Sequence, residues 1–235
     1  MARVPDLHPT GLRSLPLVAV LLTNGDIDHV AGLLTLREMQ PFTLTATPGI
    51  HEVLDANPIF EALNRSVVPR RAVVLDEPFD LVPGLEATLF AVPGKVPLYM
   101  EGDEVQTDLV GEQTVGVELQ AGASRLLYIP GCAMMTDALR ARLDGADVVL
   151  FDGTLWQDDE MQRAGLGEKT GKRMGHMSMS EPDGTIAAFE DIRVDQKIFV
   201  HMNNTNPVLR PGSDERAQVE AAGWTVGCDG MEIMP

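Results

Sequence analysis

Twice in this chain an apolar run stops in a short polar word that carries metal-type ligands. Leu17-Val-Ala-Val-Leu-Leu22 runs into Thr-Asn-Gly-Asp-Ile-Asp28-His29, and Lys197-Ile-Phe-Val runs into His201-Met-Asn-Asn204. A continuous apolar, β-branched run reads as a strand buried on both faces. The polar word after it then falls at a sheet edge, where loops held by rigid strands commonly build sites. This pattern constrains the chain to sheets packed in layers with helices outside.

The remaining pattern fills in that architecture. Pro16 to Thr23 predicts the first strand, and Val30, Leu33 and Leu34 at helical spacing predict a helix from about His29 to Met39. Thr43 to Thr47 predicts a second strand, and Pro48-Gly49 turns it into a short helix through Val53 and Leu54. Phe60 to Asn64 reads as a further helix and Ala72 to Leu75 as a strand. Glu86 to Val92 and Thr114 to Gln120 alternate, and Ala121-Gly-Ala-Ser124 is a hairpin turn before Arg125 to Ile129. There follow a helix near Asp137 to Leu143, a strand at Val148 to Phe151 and a helix at Thr185 to Asp191. A strand at Ile198 to His201, a helix at Asp214 to Ala222 and a strand near Thr225 close the order. The 22 Gly and 16 Pro are dispersed as turn punctuation, and no repeat or long linker divides the 235 residues. The chain therefore reads as a single domain over 1–235.

Charge and cysteine usage narrow the partners. The net charge is −17, from 35 acidic and 18 basic residues, a field that repels phosphate backbones and weighs against nucleic acid. Cys132 and Cys228 are too few for a disulfide framework and fit a reducing, cytoplasmic setting. No apolar run reaches the roughly 20 residues of a membrane span. Leu15 to Leu22, after Arg3 and Arg13, imitates a signal sequence, but it lacks a small-residue cleavage site and reads better as a strand.

Asp28, His29 and His201 form a minimal metal kit. Two imidazoles and a carboxylate with vacant positions suit Fe(II) and O2, although zinc hydrolases use similar ligands. Asn24, Asp26 and Asp28 alternate along one turn, and for Asn24 a turn-forming role is the better reading. Cys132 reads as a thiolate ligand or, preferably, as a small buried apolar residue. Asp152 is a strand-end acid or a turn former. His176 lies in a local basic stretch with Lys169, Lys172 and Arg173, suited to a carboxylate substrate; a mobile surface loop is the alternative. His51 and His8 receive no role.

The order of these segments resembles the metallo-β-lactamase superfamily, whose H-x-H-x-D-H motif stands here as Asn24-x-Asp26-x-Asp28-His29. Val92-Pro-Gly-Lys95 falls at the third motif, Gly131-Cys132 at the bridging-acid position and His201 at the final His, while Gly175-His176 resembles a loop of the phosphodiesterase-like members. More closely, the chain is similar to the coenzyme PQQ (pyrroloquinoline quinone) biosynthesis protein B family. The words that carry this are Leu22-Thr-Asn-Gly-Asp-Ile-Asp-His-Val-Ala-Gly-Leu-Leu34, Val92-Pro-Gly-Lys-Val96, Tyr128-Ile-Pro-Gly-Cys-Ala133, Leu150-Phe-Asp-Gly-Thr154, Arg173-Met-Gly-His-Met177 and His201-Met-Asn-Asn-Thr-Asn-Pro207. The resemblance runs from about Leu7 to Glu232.

What the resemblance implies is an α+β, four-layer αββα sandwich. Family members carry a longer N-terminus with the first strands and a Cys-rich structural zinc segment, so this chain is expected to lack those strands. On the two-metal layout, the first site would need Asn24, Asp26, Lys95 and Cys132. An amide is a poor ligand and an ammonium opposes a cation, which disfavours a dinuclear hydrolase clamp. The second site keeps Asp28, His29 and His201, expected to bind Fe(II), with Zn as the alternative. The resemblance further implies PQQ biosynthesis by iron- and O2-dependent hydroxylation of the tyrosine in a Glu-Tyr-type, peptide-derived precursor. Asp26 and Lys95 would act catalytically in the vacated first site, orienting the phenol or managing protons. Arg173 and His176 would contact substrate carboxylates. A homodimer is compatible with this reading. A soluble carrier of PQQ or its precursor toward the periplasm, and a mononuclear zinc hydrolase, are the alternatives.

Overall fold

Pairing of the apolar runs sorts the strands into two sheets in the computed structural model, which describes residues 4, 5, 8–12, 14 and 16–235. Arg3, Leu7, Arg13 and Leu15, used in the leader and resemblance readings, lie outside the described residues. The first sheet is built from β1 (Ala19–Leu21), β2 (Thr43–Ala46) and β3 (Arg70–Ala72), all parallel and adjacent in that order. Its crossovers carry α1 (Ile27–Val30) and α2 (Pro48–Asp55), with 3-10 turns at Ala31–Leu36 and Pro58–Ala62. α2 begins where Pro48 takes the first helical position and the Thr47 side chain accepts the Ile50 N–H.

The second sheet has seven strands in sequence order. β4 (Phe79–Val82), β5 (Leu85–Ala91), β6 (Val115–Ala121) and β7 (Ser124–Ile129) pair antiparallel. β7, β8 (Ala146–Asp152), β9 (Val194–Val200) and β10 (Trp224–Val226) pair parallel. Between them lie α3 (Asp137–Leu143), α4 (Glu160–Arg163), α5 (Gly171–Met174), α6 (Thr185–Ala188) and α7 (Asp214–Ala221). Thr136 and Ser213 cap α3 and α7 by accepting the Leu139 and Arg216 N–H groups.

Period-two alternation along the strands makes two cores. Leu44, Ala46, Ala87, Leu89, Val115 and Val117, from both sheets, join one buried cluster with Ile50 and Leu54 of α2. Phe90, next to Leu89, points the other way with Leu127, Ile129, Phe151 and Phe199, where Leu139, Leu143 and Val219 of the helices cover them. The layers are helix, sheet, sheet, helix, as expected for the metallo-β-lactamase fold.

Several elements depart from expectation for local reasons. Pro16–Thr23 contracts to β1, which is only partly buried because among the described residues it pairs on one side alone, with β2. The helix expected to Met39 is one α turn followed by 3-10 structure, with Gly32 weakening its middle. Phe60–Asn64 is likewise 3-10, from Pro58 to Ala62, and the helix at Thr185 stops at Ala188. The third strand lies upstream of Ala72–Leu75, at Arg70–Ala72. β4 is unheralded because Pro78 and Asp80 disguise it.

This topology sets the site. β5, β7, β8 and β9 run in one sense, so their carboxyl ends share a rim, the usual ligand edge of parallel strands. The end of β1 reaches the same rim, where the Val115 N–H donates to the Thr23 carbonyl at 2.8 Å and Asn24 bridges Thr114.

Candidate metal centre

Asp28 and His29 stand on α1, one turn beyond β1, and His201 stands on the first residue after β9. His201 takes a positive φ of 55°, a strained choice for a non-glycine residue of the kind that collects at functional sites. His29 Nε2 lies 3.0 Å from His201 Nε2, and Asp28 Oδ2 lies 3.0 Å from His201 Nε2 and 3.8 Å from His29 Nε2. Metal–nitrogen bonds of about 2.0–2.1 Å put neighbouring donors on one ion roughly 3 Å apart. Two of the three separations have that spacing and the third, at 3.8 Å, is wider; one carboxylate among two imidazoles supplies partial charge compensation, so these residues fit a divalent ion.

The electrostatics follow from crowding. Burial, and then the nearby His201, lowers the His29 pKa. The hydrogen bond to His201 holds Asp28 at about 2 in spite of burial. Burial works to lower His201 too, but the Asp152 and Asp28 carboxylates facing its two ring nitrogens prevail and raise it to about 10.

A second trio, Asp152, His176 and His201, also offers converging ligand atoms. Here the Thr154 hydroxyl already sits among the donors. Its oxygen is 2.6 Å from Asp152 Oδ1, 2.9 Å from His201 Nδ1 and 3.2 Å from His176 Nδ1. These are hydrogen-bond lengths, so this trio is a hydrogen-bond hub around a hydroxyl. Asp152 is fully buried, and burial pushes its pKa up, yet His176 and His201 hold it well below the usual carboxylate range. His176 donates to Asp152 Oδ2 from Nδ1 at 2.6 Å and stacks on His201, with centroids 5.4 Å apart.

The positions of the other half of the layout are differently engaged. Asn24 Oδ1 accepts the Asp26 N–H at 2.9 Å, an Asx turn. The buried Cys132 thiol donates to the Met134 carbonyl, and burial, then the Asp152 charge, pushes its pKa up, away from a thiolate. Lys95 Nζ lies 3.8 Å from Asp26 Oδ1 and 3.2 Å from Glu101 Oε1, with only 10% of its side chain exposed. Asp26 Oδ1 also accepts the Leu98 N–H. Arg173 grips Glu101 with two nitrogens, at 3.3 and 2.8 Å.

The fold thus brings Asp26, Asp28, His29, Lys95, His176 and His201 to one rim, with Arg173 reached through Glu101. Sequence reasoning overlooked Glu101, named Thr154 without giving it a role, and read Asn206 only as a turn former. Asn206 is buried and donates to the Gly153 carbonyl at 2.8 Å, pinning the Asp152-Gly-Thr154 loop. An acid-hydroxyl word directly after an apolar run is a usable signal for Thr154; Glu101 lies in a polar stretch without one.

A family model described as "Beta-lactamase superfamily domain" matches residues 2–202. The coenzyme PQQ synthesis protein B of Ruegeria pomeroyi is 59% identical over 228 residues, 97% of this chain and 77% of that protein. The protein of the same name from Methylorubrum extorquens PA1 is 55% identical over 230 residues, with 97% and 77% covered. Among solved structures, the crystal structure of Zn(2+)-bound PqqB from Methylobacterium extorquens superposes with a TM-score of 0.95 at 55% identity, over 98% of this chain and 77% of that one. A diphosphatase of the PhnP family shares the fold alone, at 17% identity, TM-score 0.62, over 92% of this chain and 70% of that one.

Proposed function

The chain belongs to the coenzyme PQQ synthesis protein B family, and from that premise we propose that it acts in PQQ synthesis as a mononuclear metalloenzyme. The proposed reaction is Fe(II)- and O2-dependent hydroxylation of the tyrosine ring in a Glu-Tyr-type precursor. The supporting observation is the one-sided site: Asp28, His29 and His201 converge, while Asn24, Lys95 and Cys132 are committed to other contacts. Bound there, Fe(II) would supply the oxygen chemistry of a two-histidine, one-carboxylate site with open positions. One oxygen atom enters the ring C–H bond and the other leaves as water, with two electrons from an external reductant and two protons.

The chain's own residues do the rest. Lys95 and Asp26, paired beside the metal turn, orient the phenol and hold the proton that it shares. Arg173 presents donors to substrate carboxylates, and His176, its Nδ1 hydrogen given to Asp152, lines the site beside it. A carboxylate reaching Arg173 competes with Glu101 for the same guanidinium. A cytoplasmic location belongs to the same proposal; among the described residues no helix is long and apolar enough to cross a membrane.

A zinc hydrolase is the second reading, favoured by the zinc bound in the M. extorquens structure. Protein loaded anaerobically with Fe(II) or Zn(II) separates the two. Supplied with O2 and an external reductant, the iron-loaded protein and not the zinc-loaded one is expected to form a dihydroxyphenyl product from a Glu-Tyr dipeptide. Esterase or phosphodiesterase turnover with zinc, and no oxygen uptake with iron, overturns it. His201→Ala is expected to abolish product formation, and unchanged turnover removes His201 from the mechanism.

A further inference from the structure

We propose that the Thr154 hydroxyl is the positioning group that fixes the His201 ring for metal binding, accepting from Nδ1 and donating to Asp152. The proposal rests on the reading of Asp28, His29 and His201 as metal ligands.

The proton count around Thr154 leaves one consistent arrangement. A threonine hydroxyl has one hydrogen to give and two lone pairs to receive with. Asp152 Oδ1, at 2.6 Å and ionised, takes that hydrogen in preference to the His201 carbonyl at 3.1 Å. The hydroxyl oxygen must then be the acceptor toward His201 Nδ1 at 2.9 Å, so Nδ1 carries the hydrogen. That leaves Nε2, the nitrogen facing His29 and Asp28, as the atom for a metal.

Asp152 does not do this task alone. Its carboxylate accepts the Cys132 N–H and Thr154 N–H at 3.1 Å each, the Thr154 hydroxyl and the His176 ring nitrogen. Four donors fill it, and its nearest approach to His201 Nδ1 is 3.7 Å, beyond hydrogen-bond length. The hydroxyl spans that gap. It also occupies the centre of the second trio, so one oxygen atom both orients His201 toward one ion and closes the position where another could bind. Partners of this kind hold ring orientation in metal sites, and their loss costs about 10–100-fold in metal affinity.

Co(II) titration of the full chain, read by visible absorption and calorimetry, tests this in wild type, Thr154→Val and Thr154→Ser. Thr154→Val keeps the shape and loses the hydroxyl; it is expected to bind Co(II) about 10–100-fold more weakly. Thr154→Ser restores the hydroxyl and is expected to restore the affinity and the spectrum. Thr154→Val binding like wild type overturns the proposal. A measurement on wild type alone guards against a variant that fails to fold: 15N chemical shifts of the zinc-loaded protein are expected to show His201 bound through Nε2 with Nδ1 protonated. Coordination through Nδ1, or a bare Nδ1, overturns it. A wild-type chain that takes up no Co(II) overturns the metal reading beneath it, and is recognised by a flat titration for all three proteins.

Discussion

At Glu101 two cations meet one carboxylate. Arg173 grips it, with Lys95 behind, and together they hold its pKa at about 2 against desolvation, from an ordinary 4.5. A carboxyl whose pKa is lower folded than unfolded stabilises the fold above its unfolded value and loses that contribution as pH falls toward the folded one. Wild type is therefore expected to melt above Glu101→Gln at neutral pH, with the difference closing between pH 4.5 and about 2. Melting curves across that window check it, and a gap that persists at the acid end refutes the assignment. Glu101 also shows what sequence leaves hidden. Asp28, His29 and His201 are conspicuous because each follows an apolar run, so chain order alone places them at strand ends. Glu101 owes its meaning to Arg173 and Lys95, brought to it by tertiary structure, and Thr154 owes its meaning to a ring 47 positions away.

Elements of more than one turn or several alternating residues are legible, as are the short strands β2 and β10, whereas α4 and α5 are not. α3 lies where Asp137 to Leu143 predicts it, and β5, β6 and β7 fall within a residue of the alternating runs. α4 and α5 are single turns, too short for a 3.6-residue period to register. Yet α5 matters to the site, because its end delivers His176 to Asp152. Gly175 makes that end with φ 85°, and a Cβ built there would lie 3.3 Å from Lys95 Cγ. A left-handed conformation costs an L-residue about 1–2 kcal/mol. Gly175→Ala is expected to lower stability by about that amount, measured by chemical denaturation; a loss near zero would mean that the α5 end relaxes freely.

On the scale of the whole molecule, the layered architecture was legible because apolar strands, alternating strands and amphipathic helices each demand a partner face. The pairing order was not, since register and neighbour choice depend on contacts far apart in sequence. We propose that the two sheets, sharing one core through Leu44, Leu89 and Val117, unfold as one domain. The three candidate ligands add something to this. Asp28 and His29 follow a strand of the small sheet and His201 follows a strand of the large one. An ion held by all three would act as a rivet between the two slabs, tying their rims as a clasp ties the covers of a book. Loading to 100 times the dissociation constant should then add about 2.7 kcal/mol to the unfolding free energy. Amide exchange should slow in β1 and β9 together, and protection gained in one sheet alone would show that the clasp does not close.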